Sequence, residues 1–454
     1  MAKIMLIAFQ PIIGNSIKDL VCYYESIIQE LTKEGNEILV LNNFYIETHK
    51  YKKVKRQYIS TIVEQVKNFA PDIIFSFNNQ IYEDIINVTN CPILSFEADL
   101  VEFMANKELV RKYSDRYYLV SFYPKFVSDY FALGFKKEHI INLHCATSIQ
   151  KESLEKKNEI SFIGTRFATI KENIASDLLQ NNSSNLYELY KDFYKTPSYD
   201  YKNLLSKYLN LTIDKEIDYY GIFDYRIYVL QSIYDLGLKL YGIYWDRLPL
   251  EYIQLMTCFD KTPTYSLKHN QDLYNSSKIN LSISHPQCKG YSFPWRIYDI
   301  MASDGLLITS ESKLLDEITK DFVKVPSFNS PYEVRDLCKY ALNNPNYCKD
   351  IIEASNKFIE KHGRWSDNFK VIEDITNIKL VNLQTNKIGS SCFVELELKP
   401  ESEPFLHNLK IKQRLAIISG AFQLILGQIP LVDLILANKL KRLKLKKKIL
   451  KYWR

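Results

Sequence analysis

Short, continuous runs of apolar residues recur through the first part of this chain and alternate with segments of helical periodicity. The first runs, KIMLIAF (3–9), EILVLN (37–42) and DIIFSF (72–77), have the character of buried parallel strands. Between the first two, residues 18–34 carry apolar side chains at helical spacing and stop at Gly35. Strands that alternate with helices predict a parallel sheet covered on both faces. We therefore expect residues 1–155 to form one doubly wound, Rossmann-like α/β domain.

The same alternation restarts after a charged linker, KESLEKKNE (151–159). Apolar runs predict strands at 159–166, 237–245, 280–285, 305–310 and 322–326. Helical patterns lie between or after them at 270–277, 294–303, 331–343 and 346–362. These elements predict a second Rossmann-like α/β domain over residues 156–370, which faces the first across a cleft. Open α/β sheets bind ligands outside the carboxyl ends of their strands, so both domains would contribute to that cleft.

The positive charge of the chain is concentrated at its C-terminus. The net charge is +6, and residues 439–454 hold nine Lys and Arg with no acid, so the remainder carries −3. A body that is close to neutral does not suggest nucleic-acid binding. Eight cysteines without a C-x-x-C pair indicate neither a zinc site nor a redox motif, and free thiols suit the cytoplasm.

The stretch KGYSFPWRIYDIM (289–301) combines a loop with the start of a short helix. Pro294 suits the first turn, where backbone N–H groups and Ser292 would meet phosphate oxygens. Arg296 stands where the helix dipole favours acids, which suggests an anionic ligand or a buried carboxylate nearby. Asp299 shares its face and would accept from a ribose. The alternative is that Arg296 and Asp299 pair with each other on a solvated helix.

Residues 273–310, LYNSSKINLSISHPQCKGYSFPWRIYDIMASDGLLITS, resemble the late signature of bacterial GT-B glycosyltransferases of the group 1 type, in particular the spore-maturation-protein-like subgroup. SFIGTR (161–166), LKLYGIYW (238–245) and IINLHCATS (140–148) resemble further segments of that family. The resemblance implies a GT-B fold and transfer of a sugar from a nucleotide-sugar donor to a glycan or lipid-linked acceptor. In that fold, residues 1–155 would be the acceptor domain and residues 156–370 the nucleotide-sugar domain. The resemblance implies no metal and no cofactor, because in this family protein groups usually meet the diphosphate.

The resemblance also assigns residues to the donor site. Asp299 matches the acid that holds the donor ribose, and Arg296 matches a basic residue near the diphosphate. Gly164 and Arg166 match the turn that faces the phosphates, and Gly242 matches the end of the second strand. The loop residues complete the predicted nucleotide site: Tyr291, Ser292 and Phe293.

Two departures from the family pattern bear on mechanism. Related retaining enzymes carry a second acid at the position of Tyr291. The familiar A-x-G-G reads Ala302-Ser303-Asp304-Gly305 here, with one glycine lost. We therefore expect inversion at the transferred carbon. Tyr291 in place of an acid, together with the uncertain base, also leaves open a non-catalytic GT-B relative that binds a glycan or a partner. A phosphorylase or epimerase of similar fold is a third alternative.

A general base near the acceptor is the remaining requirement for transfer to a hydroxyl. Glu97 and Asp99 follow a predicted strand of the first domain and would face the cleft. Asp99 is the first candidate for the base and Glu97 the second. The alternative is that both acids cap a helix that starts near Leu100.

Residues 371–454 are expected to form a C-terminal extension with a small β-hairpin at 378–399 and basic amphipathic helices. Residues 415–432 carry no charge, but their glycines, glutamines and proline argue against a membrane-spanning helix. In 434–454, leucines fall near one helical face among Lys and Arg, as in helices that lie on anionic membranes. The location would then be cytoplasmic and peripheral at the inner face of the cell membrane. The alternative is a helix packed on the body, with a solvated basic end.

Removing the extension tests the membrane interpretation. We expect a chain cut after Phe405 to lose binding to anionic vesicles, because the basic helix is gone, and to keep donor hydrolysis. Vesicle co-sedimentation measures the first effect and release of nucleoside diphosphate the second. Vesicle binding unchanged by the cut would contradict the membrane interpretation.

Overall fold

The computed structural model describes two parallel β-sheets and the helices around them. The residues described are 1–10, 20–48, 52–99, 101–165, 207, 225–243, 245–248, 252–284, 288, 291–382 and 388–396. The predictions from sequence that fall outside these residues include Arg166 and the basic helices of the C-terminal extension.

The first sheet has seven strands in the order β12-β2-β1-β3-β4-β5-β6, all parallel. Its strands are β1 Lys3–Ala8, β2 Glu37–Asn42, β3 Ile73–Phe77, β4 Ile93–Phe96, β5 Tyr117–Ser121, β6 Ile140–Asn142 and β12 Ser390–Phe393. The helices of this part are α1 Cys22–Lys33, α2 Phe44–Thr48, α3 Lys52–Phe69, α4 Glu83–Asn87, α5 Lys107–Lys112 and α6 Val127–Phe131. The central strands are buried along their length, which is why their sequences are continuous apolar runs.

The second sheet has five parallel strands in the order β11-β10-β9-β7-β8. They are β7 Asn158–Ile163, β8 Leu238–Tyr241, β9 Ser277–Ser282, β10 Leu306–Ser310 and β11 Ser327–Phe328. The helices, numbered along the described residues, are α7 Tyr225–Gln231, α8 Ile253–Thr257, α9 Leu267–Ser276, α10 Arg296–Met301, α11 Lys313–Thr319, α12 Pro331–Asn343, α13 Pro345–His362 and α14 Trp365–Thr376. Two Rossmann-like sheets confirm the predicted GT-B fold class.

Two local predictions differ from the structure. The segment expected to form a hairpin contributes β12, which pairs in parallel with β2 from Ser390 opposite Glu37 to Phe393 opposite Val40. The hairpin is therefore wrong for residues 390–393, because their partner is a strand distant in sequence. The strand expected at 322–326 is also wrong, since the short strand β11 comes directly after it.

Helix α14 was not predicted, and it ties the end of the second domain to the first. Trp365 is 1% exposed, and its indole Nε1 donates a 2.8 Å hydrogen bond to Oγ of Ser26 on α1. Its ring stacks on Phe369 and meets Trp295 edge-on. One apolar core includes side chains from β1, α1, α10, α13 and α14. The first sheet and the start of α10 are therefore packed into the same core.

Within the described residues, no helix is both long and apolar enough to cross a membrane. The uncharged run at 415–432 lies outside them.

Truncation of Trp365 tests the role of α14. We expect Trp365→Ala to lower the free energy of unfolding by about 3–5 kcal/mol, because a large buried ring and its hydrogen bond are lost. Trp365→Phe keeps most of the ring and should lose less. Tyr332, which is 78% exposed, gives the matched control, and Tyr332→Ala should change stability by less than about 0.5 kcal/mol. Equal urea midpoints for Trp365→Ala and Tyr332→Ala would contradict this packing.

Candidate active site

The first part of the candidate site is a close approach between the ends of β7 and β8. Gly164 follows β7, and its N–H donates a 3.0 Å hydrogen bond to the carbonyl of Tyr241, the last residue of β8. Gly242 follows directly and has a φ of 117°, a backbone conformation that residues other than glycine rarely adopt. A Cβ on Gly242 would lie 2.2 Å from the Gly164 carbonyl oxygen. The structure therefore brings these two predicted glycines together and requires that neither carry a bulky side chain.

Arg296 joins this pair from the start of α10. Its Nη1 donates a 2.8 Å hydrogen bond to the carbonyl of Ile163, and a Cβ on Gly164 would come within 3.3 Å of the same nitrogen. The guanidinium is half-buried at the carboxyl end of β7, where the strand order reverses between β8 and β9. Open α/β sheets bind ligands at such a switch point. Gly164, Gly242 and Arg296 thus form one cluster there.

Arg226, on α7, also reaches the switch point, and sequence reasoning missed it. The residue is 6% exposed, and its guanidinium donates to the carbonyls of Thr165, at 2.6 Å, and Ile283, at 3.5 Å. These carbonyls follow β7 and β9. The sequence YRIYVLQ offered one indication of this role, which is a single arginine among mostly apolar residues. A cation in such a segment is buried only where polar groups pair with it.

Asp299 faces the first domain. Its Oδ1 accepts a 2.5 Å hydrogen bond from the Thr147 hydroxyl, and the Cys22 thiol lies 3.8 Å from Oδ2. Burial raises the pKa of this carboxyl to about 6, although Thr147, Cys22 and Arg296 each act to lower it. With 9% exposure, the side chain is occupied by contacts between the domains. Its role at a donor ribose stays a prediction that needs a rearrangement of these contacts.

The loop before α10 lies against the first domain. The Tyr123 hydroxyl donates a 2.6 Å hydrogen bond to the carbonyl of Phe293, and the two rings meet edge-on. Trp295 packs edge-on against Phe122 at 4.7 Å between ring centroids. The Ser292 hydroxyl donates to the carbonyl of Cys288 at 3.3 Å. Ser292 and Phe293 are both buried, so their side chains shape the loop.

Asp99 lies at the carboxyl edge of the first sheet, beside a small cavity. Asn78 donates a 2.8 Å hydrogen bond to Oδ2 of Asp99 and accepts from the backbone N–H groups of Ala98 and Asp99 at 3.0 Å each. The cavity has a volume of about 80 Å³ and is lined by Phe9, Tyr23, Tyr24, Phe77, Asn78, Gln80, Ala98 and Asp99. Typical ligand pockets have volumes of about 300–1,000 Å³, so this cavity has room for only a small group of a substrate.

Glu97 occupies a different environment from Asp99, only two residues away. It is 1% exposed, and its carboxylate accepts hydrogen bonds from Ser121 at 2.6 Å and Tyr130 at 3.0 Å. Burial raises the pKa of Glu97 to about 7, against the lowering effect of these hydrogen bonds. The structure therefore sets Asp99 beside the cavity and Glu97 in the interior.

Two lysines lie near the ring of Tyr291. Lys125 Nζ is 2.8 Å from the centre of its ring and Lys313 Nζ is 5.3 Å away. The hydrogen bond and charge of Lys125, followed by the charge of Lys313, lower the pKa of the Tyr291 phenol. Two cations therefore lie near the residue that stands at the position of an acid in related enzymes.

Among the described residues, no three His, Cys, Asp or Glu side chains come together as metal ligands would. Metal independence stays a prediction.

Two parallel, doubly wound sheets in one chain are the architecture of the GT-B fold class. Residues 226–374, about one third of the chain, match the family model described as glycosyl transferase-like. This segment contains Gly242, Tyr291, Arg296 and Asp299. The match confirms, for the second domain, the resemblance to glycosyltransferases that the motif at 273–310 indicates.

The chain is also similar to solved structures. HepE of Anabaena in complex with UDP-glucose has 8% identity and a TM-score of 0.45, with 83% of this chain and 100% of that chain covered. Sucrose-phosphate synthase of Thermosynechococcus elongatus has 9% identity and a TM-score of 0.48, with 82% and 97% covered. A glycosyltransferase of Rickettsia africae has 10% identity and a TM-score of 0.43, with 83% and 99% covered. No curated protein matches the chain in sequence.

The buried Glu97 carboxyl makes the free energy of unfolding depend on pH. Its pKa is raised from 4.5 to about 7 on folding, so its stabilising contribution is complete below pH 4.5 and is lost as the pH rises through 7. Glu97→Gln does not titrate. We expect the free energy of unfolding of Glu97→Gln, relative to the native chain, to rise by up to about 3 kcal/mol between pH 4.5 and 8.

Urea titrations at several pH values measure this difference. Glu64→Gln, at an exposed position of α3, is the matched control and should run parallel to the native chain. A difference for Glu97→Gln that stays constant over this pH range would contradict the raised pKa.

Proposed function

We propose that this protein transfers a sugar from a nucleotide-sugar donor to a hydroxyl of a glycan or lipid-linked acceptor, with inversion and without a metal. The observation that carries the proposal is the cluster of Gly164, Gly242 and Arg296 at the switch point of the second sheet. Two of the three lie within the segment that matches the glycosyl transferase-like family.

The donor diphosphate would bind at this cluster. Glycines at both strand ends allow the two strand ends to pack closely against each other and against Arg296, because no Cβ stands between them. The Arg296 guanidinium supplies positive charge and N–H donors for the leaving nucleoside diphosphate. Arg166, two residues after Gly164, would add a second cation. The loop residues Tyr291, Ser292 and Phe293 would form the wall before α10.

Asp99 is the proposed general base. Its carboxylate would take the proton of the acceptor hydroxyl while that oxygen forms a bond to the anomeric carbon. The bond from this carbon to the diphosphate oxygen would break at the same time, with the electron pair leaving on the nucleoside diphosphate. The cavity beside Asp99 has room for the hydroxyl-bearing arm of an acceptor. Glu97 would act only as a positioning residue, because its carboxylate is held by Ser121 and Tyr130.

A non-catalytic GT-B protein that binds a glycan or partner is the second candidate. One observation favours it. The Asp299 carboxylate, which in the family is taken to bind the donor ribose, accepts a hydrogen bond from the Thr147 hydroxyl in this protein.

Two variants separate donor binding from chemistry. Arg296→Ala should weaken UDP or GDP binding about 10- to 100-fold, because charge-assisted hydrogen bonds to the diphosphate are lost. Asp99→Asn should keep nucleotide affinity and lower kcat about 10²- to 10⁴-fold, because the base can no longer accept the proton. Isothermal titration measures the affinities, and release of nucleoside diphosphate measures turnover.

The control for Arg296→Ala is Arg335→Ala, which removes an arginine from a surface ion pair with Asp235. Asp129→Asn, at an exposed position of α6, is the control for Asp99→Asn. Normal nucleotide binding by Arg296→Ala would contradict the assignment of the donor site. Nucleotide binding without turnover in the native chain, for any sugar donor, would favour the second candidate.

We also propose that the basic C-terminal extension attaches the protein to the inner face of the cytoplasmic membrane, where a lipid-linked acceptor would be found. The truncation after Phe405 tests this part by itself.

A further inference from the structure

Two lysines from different domains meet at Tyr291. Lys125 lies in the one-turn 3-10 helix Pro124–Phe126, which follows β5 of the first domain. Lys313 is the first residue of α11, which follows β10 of the second domain. Their ammonium groups are 2.8 Å and 5.3 Å from the centre of the Tyr291 ring.

Their charges are not neutralised by the part of the chain that the structure describes. In that part, neither Lys125 nor Lys313 has a carboxylate within the 4.0 Å ion-pair distance. Other lysines do form such pairs, for example Lys156 with Asp304 at 2.8 Å. Both Lys125 and Lys313 are exposed, so a solute can reach them. Two neighbouring cations without an acid attract an anion.

The cluster is held in place from both sides. The Tyr123 hydroxyl, directly before the 3-10 helix, donates a 2.6 Å hydrogen bond to the carbonyl of Phe293, two residues after Tyr291. Ser312, directly before Lys313, caps α11 by accepting a hydrogen bond from the N–H of Leu315. The first bond ties the segment of Lys125 to the loop of Tyr291, and the second orders the start of α11, which carries Lys313. An anion bound here would contact both domains.

We propose that Lys125, Tyr291 and Lys313 form a binding site for a phosphate group carried by the acceptor. This inference rests on the proposed transferase function. A phosphate suits the cluster because its charge and three terminal oxygens match two ammonium groups and one phenol donor. Arg296 bonds the end of β7 and serves the donor, whereas Lys125 belongs to the first domain, which is expected to take the acceptor. Tyr291 belongs to the loop that would form a wall of the donor site, so the phosphate of the acceptor would lie directly beside the donor. The acceptor would then be a phosphorylated glycan or a lipid phosphate.

Inorganic phosphate, titrated in the presence of saturating UDP, is the probe for this site. We expect the native chain to bind phosphate together with UDP. The double variant Lys125→Gln/Lys313→Gln should bind phosphate about 100-fold more weakly, which is about tenfold for each lost charge-assisted contact. Its UDP affinity should stay within about twofold of the native value, since these lysines lie outside the donor cluster. Tyr291→Phe keeps both cations and should weaken phosphate binding by less than tenfold.

The matched control is Lys137→Gln/Lys320→Gln. It removes one exposed lysine from each domain, and Lys320 lies at the end of the same helix as Lys313. This control should bind phosphate as the native chain does, and all variants should keep the native melting temperature.

Three results would overturn the proposal. These are equal phosphate binding by the double variant and the control, displacement of phosphate by UDP, and a loss of UDP affinity in the double variant that matches its loss of phosphate affinity. The last two would assign the lysines to the donor. Failure of the transferase proposal is seen separately, as normal UDP binding by Arg296→Ala.

Discussion

The geometry of the candidate site depends on where the start of α10 is held, and a buried carboxylate holds it. Asp299 accepts a hydrogen bond from Thr147, in the segment that leaves the first domain. A buried charge without a partner is costly, so this bond restricts α10 to one position against the first domain. Trp295, which packs on Phe122, and Arg296, which bonds Ile163, lie one turn earlier and are positioned by the same contacts.

The part of the fold that could be predicted from sequence is the part that local patterns encode. Strands such as β1 and β3 are buried on both faces, and their continuous apolar runs reveal them. The strand β12 has the sequence SSCF, three of its residues are exposed, and its partner β2 lies at the other end of the chain. No periodic signal in four such residues indicates a parallel partner, which explains why a hairpin was the wrong prediction.

The residues of the candidate site also fall into those that local sequence patterns reveal and those that they do not. Gly164, Gly242 and Arg296 stand at strand ends and at a helix start, which are positions that the sequence marks. The surroundings of Asp299 and Glu97 could not be predicted, because their partners Thr147 and Tyr130 come from other segments of the chain. Burial of a carboxylate is a tertiary property, so two acids separated by one residue, Glu97 and Asp99, acquire different environments.

Because β12 pairs with β2, the first sheet is completed by a segment that leaves the ribosome after the whole second domain. Until then, one edge of β2 presents unpaired N–H and C=O groups to which other strands can add. Translation at about 5–20 residues per second keeps that edge open for roughly tens of seconds. The first sheet therefore reaches its full set of strands only after the second domain has been synthesised, and the open edge of β2 is a site for edge-to-edge association during that interval.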